Sequence, residues 1–270
     1  MRAIAVLASA VALALASAGA AGQSEQRIAV PLSDPTRPAT LDVNLFAGGI
    51  SVSAYEGNEI IIIVRDDDDD DDDDNDEPRT DGLTRIPNTG IGLTAEERDN
   101  TVSIQMDWRP RGVDLEISVP RRTSVRAKTV NSGDVTLVGV SGDHEISNVN
   151  GGIFASDIAG SIVANTMNGD VEVSFTEVAA RPMSFSSFNG DMEVSFPASL
   201  KAELRIDGGR GDVLTDFDVV VLPQPVVVER GGGDGRNQVR MEQQTRVTIG
   251  GGGPEIQFKT FNGDITIRKR

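Results

Sequence analysis

The chain is 270 residues long, carries a formal charge of −17, and contains no cysteine and a single histidine, His144. These totals allow one large or two small domains, and they exclude disulfides, thiolate metal sites, a thiol nucleophile and any multi-histidine metal centre. Glycine is abundant and aromatic residues are scarce, which favours β-structure with many turns, and the acidic balance argues against nucleic acid as a partner, because phosphate binding requires clustered Lys and Arg.

The chain opens with "MRAIAVLASAVALALASAGAAGQS", in which Arg2 precedes an apolar run that ends in small residues at A-x-A spacing. This pattern predicts a secretory signal peptide over residues 1–21, cleaved near Ala18 to Ala21. No other stretch is long and apolar enough to span a bilayer, and without cysteine there is no lipobox, so no membrane span or lipid anchor is expected after cleavage. Residues 22–39 read as a linker and 40–270 as one folded domain. Alternation at Leu41, Val43, Leu45, Ile50, Val52, Ile60, Ile62 and Val64 predicts early strands, with corners at Gly48-Gly49 and Gly57-Asn58.

Residues 66 to about 92 interrupt the pattern. Nine consecutive aspartates, Asp66 to Asp74, are followed by Asp76 and Glu77; without these eleven acids and Arg2 the chain carries only about −7. A run that repels itself and cannot be buried predicts a disordered acidic insertion. Carboxylates suit hard cations, so Asp66, Asp68, Asp70, Asp72 and Asp74 are candidates for loose, diffuse Ca2+ binding, set against the plainer reading of a solvated, solubilising insertion. No other metal and no cofactor is expected. The strands "TVSIQMDW" (101–108) and "VDLEISVP" (113–120) continue the stack.

A repeat then appears. Gly133, Gly142, Gly151, Gly160 and Gly169 are nine residues apart, followed by Asp134, Asp143, Gly152, Ser161 and Asp170. Apolar residues follow at fixed offsets: Val135, His144, Ile153, Ile162 and Val171 at two; Leu137, Ile146, Ala155, Ala164 and Val173 at four; Val140, Val149, Ile158 and Met167 at seven. Residues two apart share a strand face, so each unit predicts a short strand with inward apolar side chains, closed by a corner whose glycine supplies positive φ and whose Asp bonds nearby backbone N–H groups. The phrases "MNGDVEVSF" (167–175), "FNGDMEVSF" (188–196) and "FNGDITIRK" (261–269) repeat that corner, and Gly169, Gly190 and Gly211 are twenty-one apart. The corner set is completed by Asp191, Asp212, Gly263 and Asp264. The reading is an all-β chain of stacked coils of about 18–21 residues; because Asn-Gly is also a hairpin signal, an antiparallel meander is the alternative. A Gly-rich loop is predicted at about 230–238, with strand, turn and strand around Pro223 and Pro225.

The segments "VDLEISVPRRTSVRAKTVNSGDVTLVGVSGDHEISNVNGGI" (113–153) and "IGGGGPEIQFKTFNGDITIRKR" (249–270) resemble a bacterial family of putative adhesins with β-strand repeats, a domain of unknown function akin to adhesin-head and toast-rack domains. The shared features are Val119-Pro120, the serial Gly-Asp corners, Gly250 to Pro254 and Asn262-Gly263-Asp264, and the likeness covers most of residues 40–270. It implies a single-stranded right-handed parallel β-solenoid and an exported protein, and supplies no catalytic residue.

The remaining candidates have plainer explanations. Arg210-Gly211-Asp212 spells an integrin-type tripeptide but is already a repeat corner. Calcium in the Gly-Asp corners would need the Gly-Gly-x-Gly-x-Asp pattern, which is absent. His144 could act as a base beside Asp143 and Glu145, yet strand neighbours point to opposite faces, so a tolerated, partly buried histidine is expected. A polysaccharide lyase or hydrolase on a β-helix is the enzymatic alternative, although two carboxylates at defined separation are required, Trp108 and Tyr55 are almost the only candidate sugar-stacking aromatics, and Phe175, Phe188, Phe196 and Phe261 fall where packing is the default role. The function read from the sequence is a non-enzymatic, exported adhesion or envelope scaffold module, located in the periplasm, at the cell surface or outside the cell, whose partner is an envelope protein or surface glycan.

Overall fold

The computed structural model describes residues 26–66, 92–106, 112–223, 226–230, 237–241 and 244–270. The predicted signal peptide, all of the aspartate run beyond Asp66, Trp108 and residues 231–236 of the predicted Gly-rich loop lie outside them. Among the described residues every regular element is a strand: twenty form one mixed sheet, and Val226–Arg230 and Asn237–Met241 form a separate antiparallel pair.

The mixed sheet is organised as two ladders that enclose the core between them. In the first ladder, strands pair in parallel in the spatial order Thr101–Met106, Ala39–Asn44, Thr123–Lys128, Ser141–Ser147, the second half of Ile153–Asn168, Met183–Asn189, Glu255–Asn262 and Ala202–Gly208. In the second ladder the order is Val113–Pro120, Ile50–Tyr55, Val135–Val138, the first half of Ile153–Asn168, Val171–Val178, Met192–Phe196, Ile265–Lys269 and Val213–Thr215. Chain passing from one ladder to the other makes a layer, and in-register partners in successive layers are 18 residues apart (Val135 and Ile153) or 21 apart (Val171 and Met192). The strands carrying the glycine repeat run parallel, so the meander alternative does not describe them.

Two features differ from a coil stack built in chain order. The first is the order of layers: residues 39–55 lie between 101–120 and 123–138, and the C-terminal 255–269 lie between 183–196 and 202–215. The second is the ends, where the sheet turns antiparallel. Glu59–Asp66 runs antiparallel to Val113–Pro120 and Gln26–Pro31 antiparallel to Glu59–Asp66, so a strand occupies part of the predicted linker. Leu93–Arg98 covers Thr101–Met106, and at the other end Thr245–Ile249 and then Val219–Val221 lie antiparallel beyond Ala202–Gly208. A parallel edge is a template for further pairing, and a reversed or charged strand blunts it.

The core follows from strand alternation. Leu41, Val43, Ile50, Val52, Val135, Leu137, Ile153, Ala155, Ile162, Ala164, Val171 and Val173 are all buried. Later layers use phenylalanine: Phe175 stacks on Phe196 and Phe185 on Phe258, each with ring centroids 5.1 Å apart, and edge-to-face contacts join the two pairs. The seventh-offset positions divide. Val140 and Ile158 are buried, whereas Val149 is half-buried and Met167 is 53% exposed. The nine-residue beat is therefore half a layer, and its two corners are not equivalent. At the Asn-Gly corner the inward position belongs to Asn148 or Thr166, and the residue after it points out.

Candidate functional site

The Asn-Gly corners, at Gly151, Gly169, Gly190 and Gly263, stand in one line with the corners at Gly48, Gly133 and Gly211, which follow Ala47, Ser132 and Arg210. Gly48, Gly133, Gly151, Gly169, Gly190, Gly263 and Gly211 occupy successive layers, each against the backbone of the next, while Gly142 and Gly160 form a separate column on the opposite edge. Gly169, at φ +157°, packs so closely on Gly151 that a Cβ would lie 2.2 Å from the Gly151 carbonyl oxygen.

Three polar columns flank this spine. The carboxamides form a ladder: Asn150 Nδ2 donates to Asn131 Oδ1 (3.4 Å), Asn168 to Asn150 (3.0 Å), Asn189 to Asn168 (2.9 Å) and Asn262 to Asn189 (2.8 Å). The corner aspartates cap neighbouring layers: Asp114 accepts from Gly49 N–H, Asp134 from Gly152, Asp170 from Asp191, Asp191 from Asp264 and Asp264 from Asp212, all at 2.7–2.8 Å. On the inner side Thr129, Thr166 and Ser187 donate to the carbonyls of Gly48, Gly151 and Gly169. Buried backbone at a tight corner needs such partners; Asn148 supplies one to the Gly133 carbonyl in the same way, whereas the buried Thr260 hydroxyl in the C-terminal layer has no partner.

Outside the Asn ladder runs an apolar column. Phe46, Val130, Val149, Met167, Phe188 and Phe261 occupy the same corner position in successive layers, as the Ala47–Asn131 and Asn150–Asn168 bridges and the Met183–Asn189 and Glu255–Asn262 registers fix. Phe46 is 54% exposed, Phe188 51% and Phe261 43%. The rings of Phe188 and Phe261 stack face to face at 4.9 Å, and Arg210 covers the far face of Phe261 at 5.1 Å. Phe175 and Phe196 pack inside, but the packing role expected for Phe188 and Phe261 is corrected: with Met183, Phe185 and Ser187 facing in, the next side chain must face out. That parity was present in the sequence and marks the column. Arg210 in this stack, together with Gly211 pressed on Gly263 and the Asp212 N–H bonded to Asp264, commits the Arg-Gly-Asp tripeptide to the corner.

His144 lies inside, 3% exposed, in a slot flanked by Val125 and Ile162. Its Nδ1 accepts from the Val125 N–H at 3.3 Å and its Nε2 has no partner. Asp143 points outward to Arg181 (2.6 Å) and Ser161 (2.7 Å), and Glu145 is exposed, so neither orients the ring. Burial lowers the histidine pKa to about 4, only partly offset by the nearby Asp143 charge. A group sealed in the core reaches no substrate, and the expectation of partial burial becomes full burial. The proton linkage has a definite sign. The unfolded chain takes up this proton near pH 6.5 and the folded chain only near 4, so stability falls as pH drops through that window, by about 3 kcal/mol in all. In urea titrations His144→Val is expected to flatten this dependence and to stabilise the fold at pH 5.

Elsewhere, Tyr55 donates its hydroxyl to the Glu59 carbonyl at 2.8 Å, which folds its ring over Gly57. A crevice of about 460 Å³ opens on the edge opposite the apolar column, where Pro197 to Leu200 stride over the inserted C-terminal layer; Met183, Leu200 and Ile256 form its floor, and Arg181 and Lys201 stand at its mouth. Among the described residues no three metal-ligating side chains converge, Asp66 ends its strand, and no helix is long and apolar enough to cross a membrane.

With this geometry established, the chain can be set beside known proteins. No family model and no curated protein matches it. Similar solved structures include a putative cell adhesion protein from Clostridium sporogenes (TM-score 0.42, 12% identity, covering 92% of this chain and 100% of that one) and a putative adhesin from Bacteroides fragilis (TM-score 0.38, 11% identity, 92% and 97%). A putative lipid binding protein from Parabacteroides distasonis is also similar (TM-score 0.26, 10% identity, 91% and 97%). Most of the similar structures bear adhesin names.

Proposed function

We propose that the protein is an exported, non-enzymatic interaction module of the adhesin type, a right-handed β-solenoid that presents a stiff polar face to an envelope protein or surface glycan. The observation that carries this reading is the outer face of the second ladder, where Ser118, Ser53, Ser156, Ser174 and Ser195 fall in one column, interrupted once by Val138, beside Glu116, Ser51, Thr136, Glu172 and Glu193, a column interrupted once by the half-buried Phe154. Small hydroxyl side chains on a hydrogen-bonded ladder lose little conformational freedom on binding, and they offer both donors and acceptors at the layer spacing. The corner carboxylates are already engaged by backbone N–H groups, which suits caps better than paired acid–base catalysts. The test is a pull-down from envelope extracts with wild type and with Ser156→Arg/Ser195→Arg. One partner retained by wild type and lost by the double variant supports the reading; equal retention rejects this face. Turnover of any member of a polysaccharide panel would favour the enzymatic alternative.

A further inference from the structure

The apolar column is a self-complementary contact. We propose that two copies of the chain pair through Phe46, Val130, Val149, Met167, Phe188 and Phe261 with their layers antiparallel. The first ground is spacing. Side chains in this column repeat at the layer distance of about 4.8 Å, whereas same-face residues of an extended strand repeat at roughly 6.8 Å and successive turns of a helix at about 5.4 Å. A strand loses register within two or three layers and a helix within the length of the column. Another ladder of the same kind stays in register throughout.

The second ground is size. A twofold axis between the layers of Val149 and Met167 sets Phe46 against Phe261, Val130 against Phe188 and Val149 against Met167, so each valine meets a large side chain. Parallel pairing would set every residue against itself. Because the rings of Phe188 and Phe261 are stacked on each other and Arg210 covers the far face of Phe261, three of their four faces are closed, which suits side-chain interdigitation better than sugar stacking.

The third ground is area and charge. Three half-exposed phenylalanines with Met167 and the valines expose roughly 500 Å² per copy, hence about 1,000 Å² in the pair, where specific interfaces begin. On one flank Lys128 comes opposite Ser186 and Lys259 opposite Asn44, with no like-charge pair. On the other, Asp134 faces Asp191, each already accepting a backbone N–H, so salt should tighten the dimer.

Two readouts test the proposal. Sedimentation across the micromolar range should show a monomer–dimer equilibrium that Met167→Ser/Phe188→Ser weakens by roughly tenfold or more and that Val163→Ser, on the outer face of the first ladder, leaves unchanged. The chain lacks cysteine, so single-cysteine variants report geometry directly. Phe46→Cys mixed with Phe261→Cys should form a disulfide-linked pair under mild oxidation, because the two positions oppose one another. Phe46→Cys alone should not, since its two copies would sit about 24 Å apart, five layers along the column. A monomer at every concentration, equal weakening by the face variant, or ready self-linkage of Phe46→Cys overturns the proposal. None of these outcomes bears on the serine face, whose ligand is assayed separately.

Discussion

Gly169→Ala is expected to abolish the folded state. At φ +157° an L-residue is strained before any contact is counted. The added Cβ would also meet the Gly151 oxygen at 2.2 Å, its carbonyl carbon at 2.4 Å and the Gly152 nitrogen at 2.7 Å. These are backbone atoms held by the Gly151 N–H bond to the Asn168 carbonyl at 2.8 Å, so no side chain can swing aside. Relief requires opening the layers, which breaks the Asn ladder above and below. Several kcal/mol lost from a total of about 5–15 kcal/mol leaves little or no native protein. Gly251→Ala is the matched control. Gly251 also has a left-handed φ, +87°, but nothing lies within 4 Å of its Cβ position, so the cost reduces to backbone strain of about 1–2 kcal/mol. Urea unfolding of the two variants separates close approach from dihedral strain, and comparable midpoints would show that the column is not the tight stack described.

Much of this was legible in the sequence because the determinants are local. The corner glycines, the Gly-Asp caps and the inward Val and Ile positions depend on residues within one layer, and a period of nine with alternation of two fixes them. The two kinds of corner were hidden because both use glycine followed by a polar residue; only the parity of Asn148 and Thr166 against Val149 and Met167 distinguishes them. The order of layers left no local trace. A strand such as Glu-Ile-Gln-Phe presents the same alternation to either neighbour, so the sequence shows that residues 255–269 form a layer without showing which layers they join. Pro197 to Leu200 and Gly250 to Pro254, where the crossing occurs, carry proline and glycine, which any turn could use. The apolar column was misread for a related reason: Phe in a repeated phrase suggests a core, and one position at the corner reverses its direction. For His144 the slot was identifiable from Val and Ile in the neighbouring units, but the completeness of its burial was not.

Removal of the last layer, by ending the chain after Gly253, is expected to be as damaging as the corner substitution. In a stack built in chain order this truncation would only shorten one end. Here it takes away an interior layer. Met183–Asn189 and Ala202–Gly208 both pair with Glu255–Asn262, and Met192–Phe196 and Val213–Thr215 both pair with Ile265–Lys269. Phe258 also leaves the face of Phe185, and Ile256, Ile265 and Ile267 leave the core. Four strands then present unpaired edges, two at each side of the gap, a state prone to aggregation. Phe258→Ala in the full chain calibrates the effect, since losing one buried ring costs about 3–5 kcal/mol while the layer remains paired. The truncated chain should therefore be insoluble or should bind a hydrophobic dye without a cooperative unfolding transition, whereas Phe258→Ala should unfold cooperatively at lower urea. A truncated chain that melts cooperatively with its unfolding slope reduced only in proportion to length would mean that residues 255–269 sit at the end of the stack and not within it.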